Sequence, residues 1–553
     1  MKFFPPNNAS AKNATTTRKI APYARYVPYF SAVDTCAVCE RFWVDESAIL
    51  GLRNWYSATH KSTYVGNRIV QDPWAGAILC ACTFTTGENP MADLRQRSAV
   101  LTLEDALHLL RRTTLHPTYA RAAALVGKTP AAAVTALFDA PEAPFPSPSW
   151  ASQTPNITNF NDAYRLWVEL QVWWLDRVMA SPSPRERLIM LWHNTFTSDY
   201  LNVYIAHWMV GQHQMLRANA YSYADIASKI VGDAAMLRYL NGDQSVKGRA
   251  NENFAREWFE LFSLGVGNYT ERDVLEAARA FTGWRITGLT GSYNRQLADL
   301  GEKTILGQTG NWEWQDVIRI TLEQPACNRF VARKLLRNYV EPDPSPESID
   351  AVGALLKTAN YNIRTVLTAL LTSEYFFDAK LRGALIKSPL ELVVGLSSML
   401  GATSVSRVYT GQVMARLTQE PFYPPTVEGW KGHHAWITSS TFPQRQRFGE
   451  SFVDGRQIGS SSKLTDDAGK AVVPDVIAFL KQLPDANDAE KIVTNVAAVL
   501  LPMPITKQQH EVLLEIMLAG AQKYEWDVNA PSAVQRARFL IQAIVRMPEF
   551  QLM

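Results

Sequence analysis

Apolar residues recur every three to four positions over most of the chain beyond residue 100, and this period is typical of amphipathic helices. The stretch TLEDALHLLRRTTLHPTYARAAALVGKTPAAAVTALFDAP predicts two or three short helices, with Pro117 and Pro130 at turns or helix starts. Helical signals continue to about residue 380 and are broken by a Gly-rich passage at 283–312 and a turn at 342–348. Since strand signals are few, the sequence predicts a mostly α fold, a multi-helical body with long loops.

Composition changes divide the chain into three parts. Residues 1–100 mix Asn, Thr, Pro and aromatic residues without a sustained period, and we expect a poorly patterned N-terminal extension that wraps or caps the body. Residues 101–455 form the predicted main helical domain, interrupted by the Pro-rich linker or surface loop PEAPFPSPSWASQTP. The polar stretch GRQIGSSSKLTDDAGK opens residues 456–553, a helical segment predicted to pack on the main domain.

The most polar helical stretch is NENFAREWFELFSLGVGNYTERDVLEAARAFTGW, residues 251–284. At 100° per residue one arc of its first helix holds Glu252, Asn253, Arg256, Glu257 and Glu260. An exposed ladder of opposite charges is the simpler interpretation, and each such pair adds only tenths of a kcal/mol. The alternative is a cleft in which burial raises the pKa of one carboxyl for general-acid catalysis while an arginine keeps another ionised.

A second polar arc is predicted in SPSPRERLIMLWHNTF, residues 181–196. Ser183 and Pro184 are good helix-start residues, and the period then brings Glu186, Arg187, His193 and Asn194 onto one face. An imidazole beside guanidinium and amide groups suits proton transfer with anion binding. A single histidine is more often a structural residue with its hydrogen bonds satisfied, and this alternative stays open.

Tryptophan is frequent, with 16 residues in the chain. Trp284 and Trp430 lie in loop-rich regions near arginines, where an indole face can stack on a sugar ring, although each indole can equally be part of a core. The polar segment 424–448, which contains Trp430, Trp436 and Arg445, is predicted to be more exposed than the rest.

Charge, cysteine and histidine patterns exclude several classes of function. The 55 Lys and Arg residues nearly balance 52 Asp and Glu, so no strong global field recruits nucleic acid, and no apolar run is long enough for a membrane span. The sequence shows no HExxH zinc motif and no P-loop, and it predicts no metal ligands and no particular cofactor. Two Cys pairs, Cys36 with Cys39 and Cys80 with Cys82, suit a metal site or disulfides, or are plain thiols, whereas Cys327 is predicted to be a buried small hydrophobe.

Nine blocks in order resemble one bacterial family of proteins of unknown function, DUF1800. They are ALHLLRRTT, RERLIMLWHNTFTS, AMLRYLNG, the 251–284 stretch, KTILGQTGNW, PACNRFVARKL, KSPLELVVGL, PPTVEGWKG and PEFQ. The resemblance covers about residues 104–553. It implies that Asn251 to Glu257, together with Trp192, His193 and Asn194, form the core of the family signature.

Two positions depart from the pattern of that family. The family usually has Trp-His-Asn-His-Phe, and Thr195 stands here for the second histidine; it often has His-Asp before the LGQTG block, where Ala298-Asp299 stands here. Its members mostly resemble exported proteins. No export signal is legible at the start of this chain, and the signal-like stretch WAGAILCACTF begins only at Trp74.

Two functions follow from these patterns. The first is a hydrolase-like enzyme that acts by acid/base carboxylate chemistry on a carbohydrate, either a small molecule or a glycan, or on another polyhydroxylated substrate, whether anionic or neutral. Its catalytic candidates are Glu252, Glu257 and His193, and its substrate-binding candidates are Arg187, Asn194, Asn251, Asn253, Arg256, Trp284 and Trp430. The second is a non-catalytic binding or scaffold protein whose signature charges form a structural ion-pair network. The sequence does not predict the oligomeric state.

Overall fold

Helices dominate the computed structural model of the protein, which describes residues 93–157 and 159–553. This part of the chain contains 22 α-helices and four short strands, so the prediction of a mostly α fold is confirmed. Residues 1–92, which make up most of the predicted N-terminal extension and include its two Cys pairs, lie outside the described residues. No helix of the described part is long and apolar enough to cross a membrane.

The first eleven helices precede the hairpins. Their bounds are α1 Leu103–Thr113, α2 Tyr119–Ala123, α3 Pro130–Phe138, α4 Phe160–Ala180, α5 Pro184–Thr195, α6 Tyr200–Val203, α7 Ala206–Ala218, α8 Tyr223–Ile230, α9 Ala234–Tyr239, α10 Asn253–Glu257 and α11 Glu271–Ala280. Helix α10 continues directly into a π-helix, Trp258–Ser263. The predicted helix start is confirmed at Ser183, whose Oγ accepts the Arg185 N–H at 3.1 Å. Thr270 caps α11 in the same way, since its Oγ1 accepts the Asp273 N–H at 3.2 Å.

Two antiparallel hairpins interrupt the helices. They are β1 Trp284–Thr287 with β2 Thr290–Tyr293, and β3 Lys303–Ile305 with β4 Gln308–Gly310. Leu306 and Gly307 both have positive φ, 48° and 81°, as a two-residue hairpin turn requires. The LGQTG block therefore forms a hairpin, where the sequence predicted a loop.

Eleven more helices complete the chain. They are α12 Trp314–Leu322, α13 Pro325–Tyr339, α14 Pro346–Thr358, α15 Ile363–Leu371, α16 Pro389–Met399, α17 Arg407–Arg416, α18 Thr441–Val453, α19 Val476–Lys481, α20 Ala489–Leu500, α21 Lys507–Leu518 and α22 Ala533–Arg546. Cys327 on α13 is fully buried, as predicted.

The buried apolar side chains form two cores. One contains side chains of α1–α3, α5, α8–α15 and the hairpins; the other contains those of α4, α6 and α16–α22. Helices α7 and α9 contribute to both, with Met209 and Ala234 in the second core and Leu216 and Met236 in the first. The final helices share their core with α4 and α16–α18, and the division at residue 455 stays a prediction.

Buried arginines bind carbonyl oxygens at the ends of helices, and Arg111 thereby joins the two cores. Arg111 donates from Nη2 to Ala498 O and Val499 O, both at 2.8 Å, near the C-terminus of α20. Arg112 donates to Val340 O at 2.8 Å, after the end of α13, and to Leu381 O at 2.7 Å. The carbonyls of Ala498 and Val499 lack intrahelical donors and lie at the negative end of the helix dipole, so they compensate buried positive charge. Leu381 O also accepts the Ala384 N–H at 3.2 Å. Burial lowers the pKa of both arginines to about 9, and both therefore stay charged at neutral pH.

We expect Arg112→Met to lower the free energy of unfolding by about 3 kcal/mol, because the buried carbonyls of Val340 and Leu381 each lose a donor. Urea denaturation followed by circular dichroism measures the change. The matched control is Arg329→Met, which removes a surface ion pair with Asp350 and should change the free energy by less than about 1 kcal/mol. Equal losses in the two variants would contradict a structural role of the buried cation.

Candidate functional site

The signature helix α10 changes to π geometry at Trp258, immediately after Glu257. The Leu264 N–H donates to Phe259 O at 2.9 Å, a bond that spans five residues. Such widened turns occur often at functional sites. They also shift the faces of a helix, so the even 100° spacing used to predict the arc holds only as far as Glu257.

Only half of the predicted charge ladder forms. Arg256 contacts Glu252 at 3.3 Å, but its main partner is Glu271 on α11, with two contacts of 2.8 Å. Glu260 instead accepts the Tyr269 hydroxyl at 2.9 Å. Because the side chain of Glu252 is 43% exposed, this part of the signature resembles the solvated ion-pair alternative more than a buried catalytic pair.

Glu257 differs from the other carboxylates of the arc. Its side chain is half-buried, and among the described residues it makes no hydrogen bond and no ion pair. Burial raises its pKa, and the nearby charges of Glu260 and Glu428 raise it further, against an opposing effect of Arg256. These causes favour a protonated carboxyl, which is the state that a general acid needs.

Further acidic and phenolic groups lie around Glu257. Tyr239, at the end of α9, lies within electrostatic reach of Asp199 and Glu257. We call Asp199, Glu257, Glu260 and Glu428 the carboxylate cluster. Asp199 and Glu428 were not predicted as site residues, although Glu428 lies in the PPTVEGWKG block, where an acidic residue between prolines and a Gly-Trp pair was a usable signal.

Asn194 fixes the loop that carries Glu428. Its Oδ1 accepts the Trp430 N–H at 2.7 Å and its Nδ2 donates to Trp430 O at 3.1 Å. Gly429 has φ +81°, and a Cβ there would lie 2.2 Å from Asn194 Oδ1. Asn194 thus holds the loop backbone and requires glycine beside it.

His193 lies beneath the same loop. Its ring is 5.7 Å from that of Trp430 and 5.4 Å from that of Phe422, and only 4% of the residue is exposed. Burial lowers its pKa to about 4. The ring is therefore neutral at physiological pH, and Nε2 has no hydrogen-bond partner among the described residues.

The remaining members of the second arc separate in the fold. Glu186 is fully buried and binds Arg217 through both carboxylate oxygens, at 2.8 and 2.7 Å, and Arg177 at 2.8 Å. Arg187 instead forms a buried ion pair with Glu391 and donates to Asn338 O. These two neighbours in sequence therefore stabilise different parts of the body.

The other predicted site residues have structural surroundings. Asn251 Oδ1 accepts the Asn253 N–H at 2.9 Å, and Asn253 itself is exposed. Trp284 is buried, with its ring 5.4 Å from both Tyr293 and Trp314. A catalytic or binding role for these residues stays a prediction.

The prediction of greater exposure for the 424–448 segment is wrong at three positions. Trp430, Trp436 and Arg445 are all buried. Arg445 Nε donates to Gln551 Oε1 at 2.8 Å, and its Nη2 donates to Lys387 O at 2.6 Å. Residues that are distant in sequence cover this segment. The local polarity of the sequence does not reveal such contacts.

The two departures from the family pattern lie in buried positions. Thr195 Oγ1 donates to Leu191 O at 2.8 Å within its own helix, and Ala298 is 4% exposed. Asp299 binds Arg279 at 2.9 Å. No group of three or more His, Cys, Asp or Glu side chains in the described part of the chain is arranged to hold a metal ion.

The described part of the chain is multi-helical and contains the polar signature helix α10. The sequence model of the DUF1800 family, described as a protein of unknown function, matches residues 108–552, and the chain belongs to this family. Comparison with curated proteins and with solved structures gave no match.

We expect Asn194→Ala to loosen the loop at Glu428, because it removes both side-chain bonds to Trp430. Amide hydrogen exchange at Trp430 should quicken at least tenfold, and tryptic cleavage after Lys431 should become faster. Asn202→Ala, which removes only a side-chain bond to Asp199, is the control. Unchanged exchange at Trp430 in Asn194→Ala would contradict the clamp.

Acidification should destabilise the protein through His193. Its pKa of about 4 in the fold lies below the ordinary value of 6.5, so the unfolded state binds the proton more tightly, and stability is lost as pH falls from about 6.5 towards 4. Between pH 7.5 and pH 5 this histidine alone accounts for a loss of about 2 kcal/mol.

The measurement is the free energy of unfolding at both pH values for the wild type and for His193→Phe. The variant should lose about 2 kcal/mol less than the wild type over this interval. Trp430→Phe alters the packing without removing a titratable group, and it should keep the dependence of the wild type. An identical pH dependence in all three proteins would show that His193 is not held neutral.

Proposed function

We propose that the protein is a hydrolase-like enzyme that cleaves a glycan or a related polyhydroxylated substrate by acid/base carboxylate chemistry. The observation that carries the proposal is Glu257, a half-buried carboxyl with a raised pKa that makes no hydrogen bond and no ion pair among the described residues and lies within electrostatic reach of the exposed Glu428. The other carboxylates of the arc already have partners, whereas the raised pKa of Glu257 favours the protonated form that a general acid needs.

Glu257 acts as the general acid in this proposal and protonates the leaving oxygen. Glu428 supplies the second carboxylate, either as nucleophile or as base for a water molecule, as glycoside hydrolysis requires. Glu252 is less suited to that role because Arg256 binds it. Asn194 positions Glu428 through the loop, and His193 supports Trp430 from below.

A structural role of the signature is the second candidate, and one observation favours it. Arg187 and Arg256 both have carboxylate partners, and Glu186 is enclosed by two arginines. A scaffold protein would need these pairs but would not need an unpaired acid at Glu257. The two functions therefore differ in what Glu257 does.

We expect Glu257→Gln and Glu428→Gln to lower kcat at least 100-fold on a substrate found by screening aryl glycosides and polysaccharides for newly formed reducing ends. Glu271→Gln, which alters an exposed ion pair, should stay within about threefold of the wild type. The raised pKa of Glu257 predicts that activity falls as pH rises through it, because the acid loses its proton. Full activity of Glu257→Gln would contradict the proposed acid/base mechanism and favour the scaffold function.

A further inference from the structure

The first helix after the Pro-rich loop presents aromatic residues to solvent. Phe160, Tyr164 and Trp167 on α4 follow each other at the four- and three-residue spacing that places side chains on one face. Phe160 is 71% exposed and Tyr164 is 51% exposed. Large apolar rings are seldom left this open in a group unless they bind something.

Rings from two other segments extend this row. Trp167 lies parallel to Tyr200 with their centroids 5.8 Å apart, and Tyr200 in turn stacks on Tyr204 at 6.4 Å. Tyr423 meets Trp167 edge-on at 6.2 Å. Tyr204 and Tyr423 are 40% and 37% exposed. We call Phe160, Tyr164, Trp167, Tyr204 and Tyr423 the aromatic surface.

The aromatic surface is joined to the carboxylate cluster through the chain at two places. Asp199 immediately precedes Tyr200 and caps the short helix α6, since its Oδ1 accepts the Asn202 N–H at 2.9 Å. Tyr423 is on the same loop as Glu428, and Phe422 O in that loop accepts the Tyr200 N–H at 3.0 Å. The segments that carry the exposed rings therefore also carry two of the four carboxylates.

We infer that the aromatic surface binds a glycan chain and leads it to the carboxylate cluster, an inference that rests on the proposed function. The apolar C–H faces of sugar rings stack on aromatic rings, and the tyrosine hydroxyls donate to and accept from sugar hydroxyls. A polysaccharide is favoured over a compact partner because the rings form an extended row that is joined at Tyr200 and Tyr423 to the carboxylates.

The test uses the full chain and measures retention on insoluble cellulose, chitin and xylan and on an alginate gel, with Tyr164→Ala/Tyr423→Ala as the variant. The wild type should bind at least one of these polysaccharides, and the variant should bind it about tenfold more weakly or worse. Tyr524→Ala removes a tyrosine that is 86% exposed and lies outside the aromatic surface, and it should bind as the wild type does. Circular dichroism of each variant checks folding.

Two results overturn the inference: no retention of the wild type on any of the four materials, or equal retention of the double variant. If the double variant changes its sedimentation behaviour but not its glycan retention, the inference is also overturned, and the aromatic surface instead binds a second copy of this chain. Glu257→Gln separates this inference from the proposed function. If the Glu257→Gln variant is inactive but still binds the glycan, both the inference and the proposed function are supported. If it binds the glycan and keeps full activity, Glu257 is not the general acid, but the aromatic surface remains a glycan-binding surface.

Discussion

Hydrogen bonding of buried arginines to the carbonyl ends of helices is the interaction on which the arrangement of the helices depends. Arg111 reaches the end of α20 and Arg112 reaches the end of α13, although both residues lie on α1. Arg187 on α5 also reaches the end of α13, through Asn338 O. A buried guanidinium is stable only where acceptors surround it, and the last turn of a helix offers carbonyls without internal partners. Each arginine therefore fixes one helix end relative to another helix.

Because many charged side chains pair with one another to stabilise the fold, few charged residues of the signature remain available for catalysis. Glu186 and Glu391 are needed to balance buried arginines, and Arg256 is held between Glu252 and Glu271. A charge that is already paired in the ground state has less free energy to give to a transition state. Among the described residues, Glu257 is the carboxylate of the first arc that is half-buried and has neither an ion pair nor a hydrogen bond, which is why the proposed function rests on it.

The sequence predicts local features of this protein well and tertiary ones less well. The helix starts at Ser183 and Thr270 were predictable because a capping side chain and its backbone partner lie within three residues. The burial of Trp430 and Arg445 was not, because their covering partners include the C-terminal segment and a helix more than two hundred residues away. The carboxylate cluster was predicted only at Glu257 and Glu260, since the π-helix and the loop at Glu428 that complete it are set by packing. Helical periodicity shows which residues share one face of a helix, but it does not show which faces of different helices pack together.

The loop from Gln419 to Trp430 depends both on its local backbone conformation and on tertiary contacts with residues distant in sequence. Gln419 Oε1 accepts the Leu390 N–H at 2.9 Å, Gln171 Nε2 donates to Pro421 O at 3.1 Å, and Asn194 holds Trp430. Phe422 within the loop and Thr418 just before it have φ of 60° and 72°, values that bulky side chains rarely adopt. Such strained backbone persists only where the surroundings hold it in place, and it concentrates at functional sites. The hydrogen bonds that hold this loop therefore also fix the positions of one exposed ring, Tyr423, and one exposed acid, Glu428, the two side chains of the loop on which the proposals rest.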